Sequence, residues 1–155
     1  MFAKPKRLGT FRFVHPKDPA IDPSSDLDGY RESWDFDATC KLRDGEAPTY
    51  FHVNFDLPYR KVLEIENAVV SAGAKGRLNV TVASQVHQAV KAFLTDIENP
   101  ADAKEEGLQF KSHGGLAADE VISDLHTLGL IDDLYQFWSD RKSEEKTELA
   151  LAKKS

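Results

Sequence analysis

Apolar and polar positions change period along the chain, and each period predicts an element. From residue 34 to 43 they alternate strictly: Trp34, Phe36, Ala38, Cys40 and Leu42 against Asp35, Asp37, Thr39, Lys41 and Arg43. A period of two predicts a half-buried strand with one dry face. Asp44-Gly45 begins a turn that runs through Pro48, and Phe51, Val53 and Phe55 then share one side of a second run. The two runs predict an antiparallel hairpin over residues 34–55. Residues 10–14 alternate more weakly and predict a short strand ended by the His15-Pro16 step. Residues 17–28, rich in Pro, Ser and Asp, predict a loop or mobile linker.

After Asp56-Leu57-Pro58, a helix-start signal, the period lengthens. Val62, Ile65, Ala68 and Val69 keep helical spacing until Gly73 and Gly76. Leu78, Val80 and Val82 suggest a third strand. From Ala83 a helix is expected through Ile97, with Val86, Val90, Phe93 and Leu94 inward and Asn99-Pro100 as its breaker. Ser112-His113-Gly114-Gly115 reads as a flexible loop.

The densest helical signal lies at 116–141. Val121, Ile122, Leu125 and Leu128 draw one stripe, and Ile131, Leu134 and Trp138 draw a second, widened by Leu130 and Phe137. Gly129 stands between them as a left-handed stop, acids open both runs, and Arg141 and Lys142 close the second. The second stripe is too wide for a single dry seam. Leu130, Ile131, Leu134, Phe137 and Trp138 are therefore read as a protein-binding surface.

The predicted fold class is α+β: a small N-terminal antiparallel sheet, then a C-terminal bundle of four to five short helices. A chain of 155 residues suits one domain, with residues 1–30 as a basic, partly mobile arm and 143–155 as a fraying polar tail. Charge is uneven: the first 17 residues carry +5 and residues 141–155 carry +2, so of a net −6 the body between holds −13. An acidic body speaks against general nucleic-acid binding. No apolar run approaches the ~20 residues of a membrane span, and the start of the chain has no signal-peptide core. One cysteine, Cys40, excludes an internal disulfide and fits a reducing compartment.

Candidate chemistry is thin. His15, His52, His87, His113 and His126 show no metal-binding spacing, and no cofactor, metal or catalytic residue is assigned. Gly73-Ala74-Lys75-Gly76 lacks phosphate-loop spacing, and Cys40 alternates inward as an apolar thiol. Asp35 and Asp37 read as an outward polar face. An enzyme would require a pocket that gathers His52 or His87 with a carboxylate.

Three passages carry a resemblance: FHVNFDLPYRKVLEIENAVV, AVKAFLTDIENP with EEGLQFKS, and DEVISDLHTLGLIDDLYQFWSDRKSEEKTEL, together spanning about residues 49–149. Their order resembles that of the tail assembly chaperones of long-tailed bacteriophages, whose β-rich N-terminal part precedes a helical one. Where that family commonly carries a tryptophan-glycine phrase after the middle helix, this chain has Thr95-Asp96. The resemblance implies a non-enzymatic protein of the host cytoplasm that coats the helical tape-measure protein and recruits tail-tube subunits. Whether it forms a homo-oligomer stays open. The alternative from another class is an acidic phage-encoded antagonist that mimics nucleic acid to block a host protein.

Overall fold

A computed structural model describes residues 1–4, 7–63 and 78–154. In chain order the elements are β1 (Thr10–Val14), α1 (Leu27–Ser33), α2 (Phe36–Thr39), β2 (Tyr50–Asn54), α3 (Leu78–Phe93), β3 (Leu94–Glu98), β4 (Ser112–His113), β5 (Leu116–Ala117), α4 (Asp119–Thr127) and α5 (Ile131–Lys154). Residues 59–63 are also helical, as the Asp56-Leu57-Pro58 start predicts. The remainder of that expected helix lies outside the described residues.

The fold is α+β, as expected, but the partner of β2 is not. Antiparallel β1 and β3 flank β2 in the order β1-β2-β3, with Phe13 opposite Phe51 and Phe51 opposite Ile97. The hairpin over 34–55 is thereby corrected, because the alternating run at 34–43 contains no named strand. Trp34 takes a left-handed conformation (φ 52°) that ends α1, and Asp35 caps α2 by accepting from the Ala38 amide at 3.3 Å. Asp26 caps α1 in the same way. Phe36 and Cys40 lie four apart, a spacing that shares a face in a helix as well as in a strand. The capping aspartates decide between the two.

Strand β1 wins the edge of β2 through its aromatics. Phe13 stacks on Phe137 with centroids 4.3 Å apart and packs edge-on against Trp34. Within the stretch expected as a basic arm, residues 1–30, several side chains are packed inward. Phe13, His15, Ala20, Ile21 and Tyr30 are all buried, the Tyr30 hydroxyl donates to the Val14 carbonyl at 2.6 Å, and Ile21 bridges Leu42.

Two further expectations change. Residues 78–82 are helical rather than extended, and the helix expected to reach Ile97 stops at Phe93, where the chain passes directly into β3. Phe93, Leu94 and Ile97 satisfy helical spacing too, but the open edge of β2 takes the chain into a strand from Leu94, with Thr95 the extra residue at a register shift against His52 and Val53.

Ser112–His113 and Leu116–Ala117 form a tight hairpin in place of the expected flexible loop. Gly114 (φ 60°) and Gly115 (φ 80°) both lie in the left-handed region, the signature of a type I′ turn. Gly115→Ala is expected to lower stability by about 1 kcal/mol through backbone strain alone, since its Cβ would meet nothing within 4 Å. An unchanged urea midpoint would contradict this.

The inner sheet face (Phe13, Phe51, Val53, Leu94, Ile97) joins one apolar cluster with Val90 and Phe93 of α3, Ile122 and Leu125 of α4, and Ile131, Leu134 and Phe137 of α5. On the outer face Arg12 lies 3.9 Å over the Tyr50 ring and pairs with Glu98.

Candidate functional site: a cleft at the joint of α4 and α5

The α4–α5 joint follows from its cap. Gly129 (φ 70°) donates to the His126 carbonyl at 3.0 Å, and Leu130 donates to the Leu125 carbonyl at 2.9 Å. Those are the two bonds of a Schellman motif, which needs glycine at the left-handed position. Residues from the N-terminal segment then fasten the joint. Lys17 Nζ donates to the Gly129 carbonyl at 3.1 Å, and His15 Nε2 lies 3.1 Å from the Leu130 carbonyl.

His15 Nδ1 accepts the Lys17 amide at 3.0 Å, so Nε2 carries the proton and donates to Leu130. With both nitrogens engaged the ring is satisfied while neutral. Burial lowers its pKa to about 4, against the opposing pull of Asp133 and the Leu130 carbonyl and with help from Lys17 and Arg31.

Beside this joint opens a cleft of about 680 Å³, inside the size range of ligand pockets. Phe51 and His15 form part of its lining, Leu128, Leu130 and Asp124 contribute from the joint, and Asn99, Glu106, Leu108 and Gln109 from the stretch after β3. Asp18 accepts the Thr49 and Ala20 amides, and Asn99 donates to the Leu108 carbonyl at 2.6 Å. These bonds fix the walls and hold several of their polar groups in structural roles. Leu128 is 55% exposed, a large apolar side chain at the cleft. The charged lining groups are Asp18, Glu106 and Asp124 against Lys17 alone.

The five residues read as a binding surface sit differently. Ile131, Leu134 and Phe137 are core residues at 4%, 0% and 2% exposure. Trp138 is partly buried and stacks on Phe93 at 5.3 Å. Of the five, Leu130 alone lines the cleft. The wide apolar face of α5 is explained by neighbours on several sides, α3, α4 and the sheet aromatics. Ile131, Leu134 and Phe137 are thus taken up by the core, and the five residues do not form one open face. The spacing of Val121, Ile122, Leu125 and Leu128 puts Leu128 on the same apolar stripe, but the helix ends at Thr127 and the cap leaves Leu128 exposed. Gly129 was the available signal, since a Schellman cap redirects the residues around it.

Among the described residues there is no group of three metal-ligand side chains and no helix long and apolar enough to cross a membrane. His52 lies 3.9 Å from Glu98, and His87 and His126 face each other with centroids 5.7 Å apart in a smaller cleft that also holds Asp119. Cys40 is half-buried against the core. Comparison with protein-family models, with curated proteins and with solved structures finds no match.

Proposed function

We propose that the protein is a non-enzymatic binding adaptor that receives an apolar, basic-flanked helical segment of a partner in the cleft beside the α4–α5 joint. The observation that carries this is the exposed Leu128, which lines one cleft with Leu130 and Leu108 and with the acids Asp18, Glu106 and Asp124. Helix-in-groove recognition needs an apolar floor for the i, i+3 and i+4 anchors, and complementary charge at the rim sets orientation. The specific form favoured by the resemblance is a tail assembly chaperone of the host cytoplasm, its client the tape-measure protein and its second partner the tail-tube subunit. An acidic, apolar-lined cleft suits a client whose apolar stripes must be shielded until assembly.

Leu128→Asp is the direct test. The variant should weaken binding of tape-measure peptides at least about tenfold in titration calorimetry, since an apolar anchor is worth roughly 1.5–3 kcal/mol. Its melting temperature should stay within a degree or two, because Leu128 is exposed. Unchanged binding by the folded variant overturns the cleft as the docking site. Affinity that instead falls steeply with salt and ignores Leu128 supports the nucleic-acid mimic.

A further inference from the structure

Helices α3 and α4 face each other through two pairs of side chains. His87 and Lys91 lie four apart on α3, and Asp119 and His126 lie seven apart on α4, so each pair shares one helix face. Lys91 bonds Asp119 at one end of the contact, and His87 meets His126 at the other, which makes the two helices antiparallel here. The ion pair fixes the register that brings the imidazoles together. The rings stand 5.7 Å apart between centroids and 73° apart in plane, at the mouth of an open cleft of about 360 Å³. Among the described residues neither imidazole has a hydrogen-bond partner.

We propose that His87 and His126 form an interhelical site for a borderline divalent transition-metal ion, nickel(II), copper(II) or zinc(II), completed by water. An ion held about 2.0–2.1 Å from each ring nitrogen lies about 3 Å from each ring centre, which puts two ligating rings about 5–6 Å apart for angles from tetrahedral upward. The observed separation of 5.7 Å falls within that interval. Imidazole is the ligand type such ions prefer, and calcium or magnesium, which demand oxygen ligands, are excluded. Two side chains fall short of the three or four of a catalytic or structural zinc site. The ion is therefore exchangeable, and its effect is to tie α3 to α4 beside the Asp119–Lys91 pair.

The test uses the untagged full chain titrated with nickel(II) and with zinc(II) by calorimetry in a non-chelating buffer. One equivalent should bind, and His87→Gln and His126→Gln should each weaken binding at least about tenfold. His113→Gln, which alters a histidine outside the pair, should leave it unchanged. A second readout is independent of affinity: the ion should raise the melting temperature of the wild type and not that of the doubly substituted chain. His126 is exposed and His87 partly so, so both variants should fold. Binding by the double variant equal to that of the wild type overturns the proposal, as does loss of the ion with His113→Gln.

Discussion

Replacing Phe137 by alanine is expected to destabilise the protein by about 3–5 kcal/mol, the range for removing a buried phenyl ring. Phe137 is 2% exposed and meets four aromatic rings: stacked on Phe13 at 4.3 Å, tilted on Phe11, and edge-on to Phe55 and Trp34 at 5.6 and 5.7 Å. It is the point where α5, β1 and the end of α1 converge, so the cavity is lined from several elements and closes poorly. For a domain of this size the loss corresponds to a fall of about 10 °C or more in melting temperature. Near-UV circular dichroism should lose intensity in parallel. A fall of only a degree or two would show that Phe137 is not the packing centre described here. Set beside Leu128→Asp, which should alter binding at constant stability, the pair separates the core from the docking surface.

The second large effect is a pH dependence set by His15. In the unfolded chain its imidazole has the ordinary value near 6.5, whereas in the fold it resists protonation until about pH 4 because burial disfavours the charged ring. Above 6.5 both states hold it neutral and its contribution is fully present. As pH falls below 6.5 the unfolded chain takes up a proton that the native chain refuses, so stability falls. The slope is about 1.4 kcal/mol per pH unit, which reaches roughly 3 kcal/mol by pH 4. Asp133 is 3.7 Å from Nε2 and softens this, while Lys17 and Arg31 sharpen it. Subtracting the urea stability of His15→Gln from that of the wild type at each pH cancels the other groups. The difference should shrink from pH 7 to pH 4, and parallel curves would refute the buried neutral ring.

What the residues made legible depended on whether a local signal had a rival. The Gly129 joint was readable because cap, charge and period all agreed at one place. The β2 strand was readable because its alternation coincides with aromatic and β-branched residues, Tyr50, Phe51 and Val53, that favour a strand. Residues 34–43 were not, since Phe36 and Cys40 satisfy both periods and the decision lay with Asp35 as a cap. Leu94–Glu98 became a strand through an edge offered by residues about forty positions earlier, which no local window contains. The candidate site suffered from the same blindness to neighbours. A broad stripe on α5 looks identical whether it meets a partner or, as here, two helices and a sheet of its own chain. His87 and His126 carry no spacing signal because they sit on different helices.

The sheet order has a consequence for how the chain acquires its shape. Strands β1, β2 and β3 pair across about forty residues each time, so both ladders of this sheet close a long loop before they gain a hydrogen bond. Such non-local pairing places folding toward the slow, millisecond-to-second end for domains of this kind. On the ribosome, at about 5–20 residues per second, β1 and β2 would stand as an isolated pair for seconds until β3 emerges, and Phe13 would wait longer still for Phe137. During that interval the face that ends as the core is open to solvent. The stretch made by then, residues 1–93, carries 13 bases and 12 acids, so it is nearly neutral and like-charge repulsion between copies does not guard that open face; the acidic surplus arrives only with residues 94–140.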